Sequence, residues 1–220
     1  MNDPFRQISP WFINIFRYYT WLLFYRRFKY VWVYDGYEPS PYRSTLYFAN
    51  HTSWWDGLIP FLLNEFHYRQ DGRAIMEDKQ FKQYPFFRKI GAVPINRDDS
   101  RQAVKVLQQS AKFLSLPKRS LYFFPQGEIF TECDELKFES GLAKLSEMTE
   151  YTDIVPLAIS ITTIRSDKPE LFIRTGPPVD VSGELQRKQR TAIFEKTLRM
   201  IWKENQAACK TGSESYKRLI

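Results

Sequence analysis

Two residues five positions apart, His51 and Asp56 in the run Asn50-His51-Thr52-Ser53-Trp54-Trp55-Asp56, could between them move a proton. A histidine accepts a proton at neutral pH, and a carboxylate on its other ring nitrogen fixes the tautomer and stabilises the charged form. The pair forms only if the chain turns into a helix between the two residues. Ser53 is the nearest candidate nucleophile, and the plainer alternative is a strand-end histidine satisfied by local hydrogen bonds. The other histidine, His67, stands near the end of an apolar helical run and reads as solvated surface. Two histidines without a cysteine cluster offer no metal-ligand set, and no glycine-rich nucleotide loop is present.

Two further polar clusters stand where apolar runs end. Gly91-Ala92-Val93-Pro94-Ile95-Asn96-Arg97 reads as a short strand closing on a cation, which is either an anion clamp or an ordinary surface arginine. Ser120-Leu121-Tyr122-Phe123-Phe124 is nearly continuous in apolar residues, as in a strand buried on both faces of a parallel sheet, and it ends at Pro125-Gln126-Gly127-Glu128.

These clusters need elements to hold them. Strand-like runs are expected at Tyr30 to Tyr34, Thr45 to Ala49, Arg73 to Met76, Ile154 to Ile161 and Glu170 to Thr175. Between them, helix is expected from Trp54 to Phe66, from Lys79 to Ile90 with a break at Tyr84-Pro85, from an Asp98 or Asp99 cap to about Leu116, from Phe138 to Met148, and from Leu185 to Ala208. Ala103, Val104, Leu107, Ala111 and Leu114 would form the buried face of the helix after Asp99. Strands alternating with helices indicate an α/β fold, a mostly parallel central sheet flanked by helices. In such sheets the active site lies at the carboxyl ends of the strands, where all three clusters fall.

The 220 residues are 43% hydrophobic and 17% aromatic, enough for one core with aromatic surplus for an interface. A formal charge of +7 suits an anionic partner, but the bases are scattered and nucleic acid is not expected. Cys133 and Cys209 do not make a disulfide framework, which points to a reduced compartment. No signal peptide is evident. Residues 1–34 carry five bases (Arg6, Arg17, Arg26, Arg27, Lys29) against Asp3, a local +4, among Trp11, Phe12, Phe16, Trp21, Leu22 and Phe24. The uncharged pieces are too short to span a bilayer, so an interfacial amphipathic helix binding an anionic membrane surface is expected, with packing on the core as the alternative. The expected division is therefore an N-terminal interfacial segment over 1–34 and one domain over 35–220.

The ensemble resembles the glycerolipid acyltransferases of the lysophosphatidic acid acyltransferase family from about Leu46 to Val179. His51 to Asp56, preceded by Asn50, resembles the family's histidine, four residues and aspartate. Lys79 to Arg97, with Gly91, Val93 and Ile95 in place, looks like its second block; Phe124 to Glu128 resembles its third, Phe-Pro-Glu-Gly-Thr; Ile154-Val155-Pro156-Leu157-Ala158 is similar to its fourth. Any one block is weak evidence, and four in order are strong. The resemblance implies an α/β acyltransferase domain, with residues 35–220 as that domain. It implies that His51, oriented by Asp56, deprotonates a lipid hydroxyl, which attacks the thioester of acyl-CoA or acyl-carrier protein as co-substrate, without a cofactor or covalent acyl-enzyme. It further implies that Arg97, with Lys79, holds an anionic group of the acceptor, that Asn50, Gln126, Gly127 and Glu128 line the substrate site, and that the enzyme sits on the cytoplasmic face of a membrane as a peripheral protein. Backbone donors near Gly127 would stabilise the oxyanion. The third block departs from the family, with Gln126 for glutamate, Glu128 for a small hydroxyl residue and Ile129 for an arginine. Losing a cation and gaining an anion there weakens phosphate binding, which widens the acceptors to polyol or glycolipid hydroxyls. The competing functions are an acyl-thioester hydrolase and a catalytically silent lipid-binding protein.

Overall fold

The computed structural model describes residues 5, 8–129, 136–212 and 214–220. Asp3, Arg6 and Cys133 lie outside them. In chain order the elements are α1 (Pro10–Arg27), β1 (Val31–Asp35), β2 (Ser44–Ala49), a 3-10 turn (Trp54–Gly57), α2 (Ile59–Leu63) running into a π turn (Asn64–Tyr68), β3 (Asp71–Glu77) and α3 (Asp78–Gln83). A 3-10 segment (Pro85–Ile90), β4 (Ala92–Ile95), α4 (Ser100–Leu114), β5 (Arg119–Phe123), α5 (Gly141–Ser146), β6 (Thr152–Thr162), β7 (Glu170–Thr175), α6 (Arg187–Thr211) and β8 (Lys217–Arg218) follow.

The strands form one sheet in the order β4-β3-β5-β2-β6-β7-β1-β8. From β4 to β6 every neighbour is parallel, while β6–β7 and β1–β8 are antiparallel. The α/β reading with a mostly parallel sheet is therefore correct. β8 carried no sequence signal, being a two-residue edge of Lys217 and Arg218. β1 begins at Val31 and pairs with β7, so a division of the chain at 34/35 runs through a strand of the sheet.

Both faces of the sheet are covered, as parallel strands require. Along β2, Leu46 and Phe48 point to the core under α4, α5 and α6, and Tyr47 and Ala49 to the core under α1 and α2. α6 buries Phe194, Leu198 and Ile201, with Ile193 and Trp202 packed beside them, the stripe expected of it. α4 is capped by Asp99, whose carboxylate accepts from the N–H groups of Arg101 and Gln102. Its buried face is Val106, Leu107, Ser110, Phe113 and Leu114, one step round from the expected set, because its first turn overhangs a cavity into which Ala103 and Val104 face instead.

His67 is not solvated surface. The π turn carries it over the end of β1, where its Nε2 lies 2.7 Å from Asp35 Oδ1 with the ring 19% exposed. Burial raises the Asp35 pKa, but His67 and Lys217 outweigh it and hold that carboxyl below its ordinary value.

α1 has two apolar faces. Phe16, Thr20 and Phe24 are buried, with Phe16 edge-on to Phe61 of α2 and Phe24 edge-on to Trp55. The opposite face exposes Trp11, Ile15, Tyr18 and Tyr25, spaced by four, three and seven residues down one side of the helix. Packing on the core and an apolar outer face thus coexist on one helix.

Candidate active site

The carboxyl ends of four adjacent strands, β4, β3, β5 and β2, bring together Arg97, Glu77, the Gln126 to Glu128 turn and His51 in that spatial order. Sequence order, by contrast, scatters them over 78 positions, from 51 to 128.

His51 leaves β2 and the chain turns at once into the 3-10 segment, which swings Asp56 back over it. Asp56 is fully buried, and its Oδ2 accepts from His51 Nδ1 at 3.0 Å, from the Thr52 N–H at 2.6 Å and from the Ser53 N–H at 2.8 Å. Its Oδ1 accepts from Ser53 Oγ at 2.8 Å. An ionised carboxylate only accepts, so Nδ1 carries the proton and Nε2 is left with a lone pair. The ring leans on Phe124 at 4.8 Å and forms part of the cavity wall. Ser53 Oγ is directed at Asp56, not at His51.

Asn50 is not part of the cavity wall. It is wholly buried, its Oδ1 accepting from the Ile159 N–H at 2.8 Å and its Nδ2 donating to the Ile159 carbonyl at 2.9 Å. That pairing extends the β2–β6 ladder one residue past Ala49 and fixes where His51 departs. Gln126 is likewise buried and outside the cavity wall: 5% exposed, its Oε1 accepts the His51 backbone N–H at 2.8 Å, tying the turn after β5 to the end of β2. Replacing Gln126 with leucine strands that N–H, so a loss of about 1–3 kcal/mol is expected in thermal denaturation together with a lower kcat. Gln126→Glu, which keeps an acceptor oxygen, is expected to retain most of both.

Gly127 sits at φ +73, a conformation that favours glycine, and a Cβ there would meet Arg97 Nη1 at 2.1 Å and so displace that guanidinium. Its own N–H closes the turn onto the Phe124 carbonyl at 3.1 Å.

Arg97 is enclosed by carboxylates. Its Nε donates to Glu77 Oε2 at 2.6 Å, its Nη1 to Glu139 Oε1 at 2.7 Å, and Glu128 Oε1 lies 4.0 Å from Nη2. Burial works against the guanidinium charge, but Glu77 and Glu139 outweigh it and hold its pKa above the ordinary value. Glu77 and Glu139 were not flagged by sequence; Glu77 directly follows the expected strand ending at Met76, but nothing local marked it as Arg97's partner. Lys79 stands 79% exposed on α3, 3.4 Å from Asp98, and is not part of the cavity wall.

The cavity has a volume of about 400 Å³. One part of its wall is apolar, with Ala74, Met76, Phe87, Val104 and Leu107, and His51, Arg97, Glu77 and Glu139 form the polar part. Trp54 and Tyr84 contribute to the same wall, and ring contacts run from Trp54 through Trp55 to Phe24, and from Tyr84 through Phe86 to Phe16, so α1 is packed against the cavity's flank. Among the described residues no group of histidine, cysteine, aspartate and glutamate is disposed to hold a metal. Cys209, on the buried face of α6, has its thiol pushed up to about 11 by burial.

Residues 32–160 match the protein-family model described as Acyltransferase. Among solved structures the chain is similar to the 1-acyl-sn-glycerophosphate (LPA) acyltransferase PlsC from Thermotoga maritima, with 18% identity and a TM-score of 0.60 over 87% of this chain and 79% of that one. At that identity the likeness speaks for the fold alone. No curated protein matches.

Proposed function

The chain belongs to the acyltransferase family, and on that premise we propose that it is a membrane-associated O-acyltransferase that moves an acyl chain from acyl-CoA or acyl-carrier protein to a lipid hydroxyl, with His51 as general base. The observation that carries this reading is the buried Asp56, which holds His51 by Nδ1 beside a cavity that is largely apolar and that His51 lines. A cavity of this size lies in the range of small-molecule sites, and its apolar wall suits an acyl chain.

In the proposed reaction the acceptor hydroxyl oxygen attacks the thioester carbonyl while His51 Nε2 takes its proton. A C–O bond forms, the C–S bond breaks, and the imidazolium returns the proton to the departing thiolate, so ester and thiol are the products. Asp56 stays ionised and stabilises the imidazolium. Direct transfer is supported by Ser53 Oγ being directed at Asp56, not at His51.

The proposed location is the cytoplasmic face of a membrane, held through the outer face of α1. Trp11 and Tyr18 are 71% and 69% exposed, and Arg26 and Arg27 end the helix with Lys29 beyond it. Aromatic rings beside cations suit a headgroup layer. Arg17 is excluded from that role by its ion pair with Glu65. No helix among the described residues is long and apolar enough to cross a membrane.

The test is product identification by mass spectrometry after incubation with isotope-labelled acyl-CoA and a total lipid extract. Labelled ester on a lipid is expected. Labelled free fatty acid without acylated lipid would establish a hydrolase instead, and an unconsumed thioester would point to a silent lipid-binding protein.

A further inference from the structure

Arg97 is the cation nearest the turn that distinguishes this chain, yet its charge is already met. Glu77 takes Nε, Glu139 takes Nη1, and Glu128 stands opposite Nη2. Apart from His51, the only other basic side chain on the cavity wall among the described residues is Lys144 of α5, whose charge also acts on Glu147. Among the described residues, Arg97 and Lys144 therefore share the wall with the carboxylates Glu77 and Glu139, and Glu128, 4.0 Å from Arg97, adds a further negative charge. Arg97 Nη2 makes no hydrogen bond among the described residues, but a phosphomonoester reaching it would bring a charge of about −1.5 to −2 near neutral pH up against Glu77, Glu139 and Glu128, which repel it. A cationic headgroup would meet Arg97 and Lys144. Gln80, Gln83, Tyr84, Ser100 and Ser140 on the wall are neutral and offer both donors and acceptors.

Resting on the acyltransferase reading above, we propose that the acceptor is a lipid with an uncharged, hydroxyl-rich headgroup of the sugar or polyol class. Glu77, Glu139 and Glu128 act as specificity residues, excluding phosphomonoester acceptors by keeping Arg97 neutralised. Carboxylates and amides so arranged hydrogen-bond neighbouring hydroxyls, while one further hydroxyl is presented to His51.

The test compares acceptors at equal surface density in phosphatidylcholine vesicles, using the full chain and labelled acyl-CoA: a monoacylglycerol and an alkyl glucoside against lysophosphatidate. The uncharged acceptors are expected to show at least ~10-fold higher kcat/KM. In the double variant Glu128→Gln with Glu139→Gln, the lysophosphatidate to monoacylglycerol ratio is expected to rise by ~10-fold, mainly through KM, and the gain should shrink with added KCl as screening sets in. Those two side chains are 69% and 55% exposed, so the variant should fold, and a melting curve checks it. Preference of the native chain for lysophosphatidate, or an unchanged ratio in the variant, overturns the acceptor proposal alone. Absence of transfer to all three acceptors overturns the acyltransferase reading and this one with it.

Discussion

Replacing His51 with alanine is expected to lower kcat by roughly 10²–10⁴-fold, the usual range for a lost general base, with KM for both substrates little changed. The argument is that Nε2 acts only once the hydroxyl begins to lose its proton, so its removal raises the barrier without touching ground-state binding. In energy this is about 3–5 kcal/mol at 1.36 kcal/mol per decade. The fold should hardly respond. The ring is 14% exposed and makes one side-chain hydrogen bond, so a melting temperature within about 4 °C of the native value is expected for a domain of this size. Asp56→Asn tests the other half of the pair, because its amide can donate to His51 Nδ1 and so stabilise the wrong tautomer. A comparable loss of kcat is expected there. Asp56 also accepts from two backbone N–H groups and Ser53 Oγ, so its variant should melt lower than the His51 variant. Unchanged kcat in both variants would place the base elsewhere.

Replacing Trp11, Ile15, Tyr18 and Tyr25 together with serine is expected to weaken partitioning onto anionic vesicles by roughly 10²-fold or more, read by sedimentation. Each large side chain gains about 1.5–3 kcal/mol on full burial, and even half of that for an interfacially seated face, summed over four residues, exceeds two decades. Because all four are more than half exposed, the substitutions should leave the melting temperature unchanged. The buried face provides the contrast: Phe24→Ser would remove a fully buried ring from contact with Phe28 and Trp55 and should destabilise the fold by several kcal/mol. Equal sedimentation of the fourfold variant and the native chain would remove α1 as the anchor.

The elements were largely legible from pattern. The capped helix from Asp99, the continuous apolar run of β5 and the apolar stripe of α6 depend on residues within a few positions of one another, and they stand where periodicity put them. Legibility failed where a side chain's partner comes from a distant element. His67 looked solvent-facing because Asp35 lies 32 residues away in sequence. Asn50 and Gln126 belong to substrate-site motifs by resemblance, yet their amides are engaged by Ile159 and by the His51 backbone.

The sequence by itself determined the alternation of strand and helix, the candidate base at His51 with Asp56 beside it, and the altered turn at Gln126 to Glu128, because each rests on local spacing. Only the tertiary structure decided what surrounds them. Packing β4, β3, β5 and β2 side by side gives Arg97 its carboxylates, from Glu77 twenty residues before it and Glu139 forty-two after it. A charge acts through space and not along the chain, so the cation that sequence offered as an anion clamp is, in the fold, paired with Glu77 and Glu139.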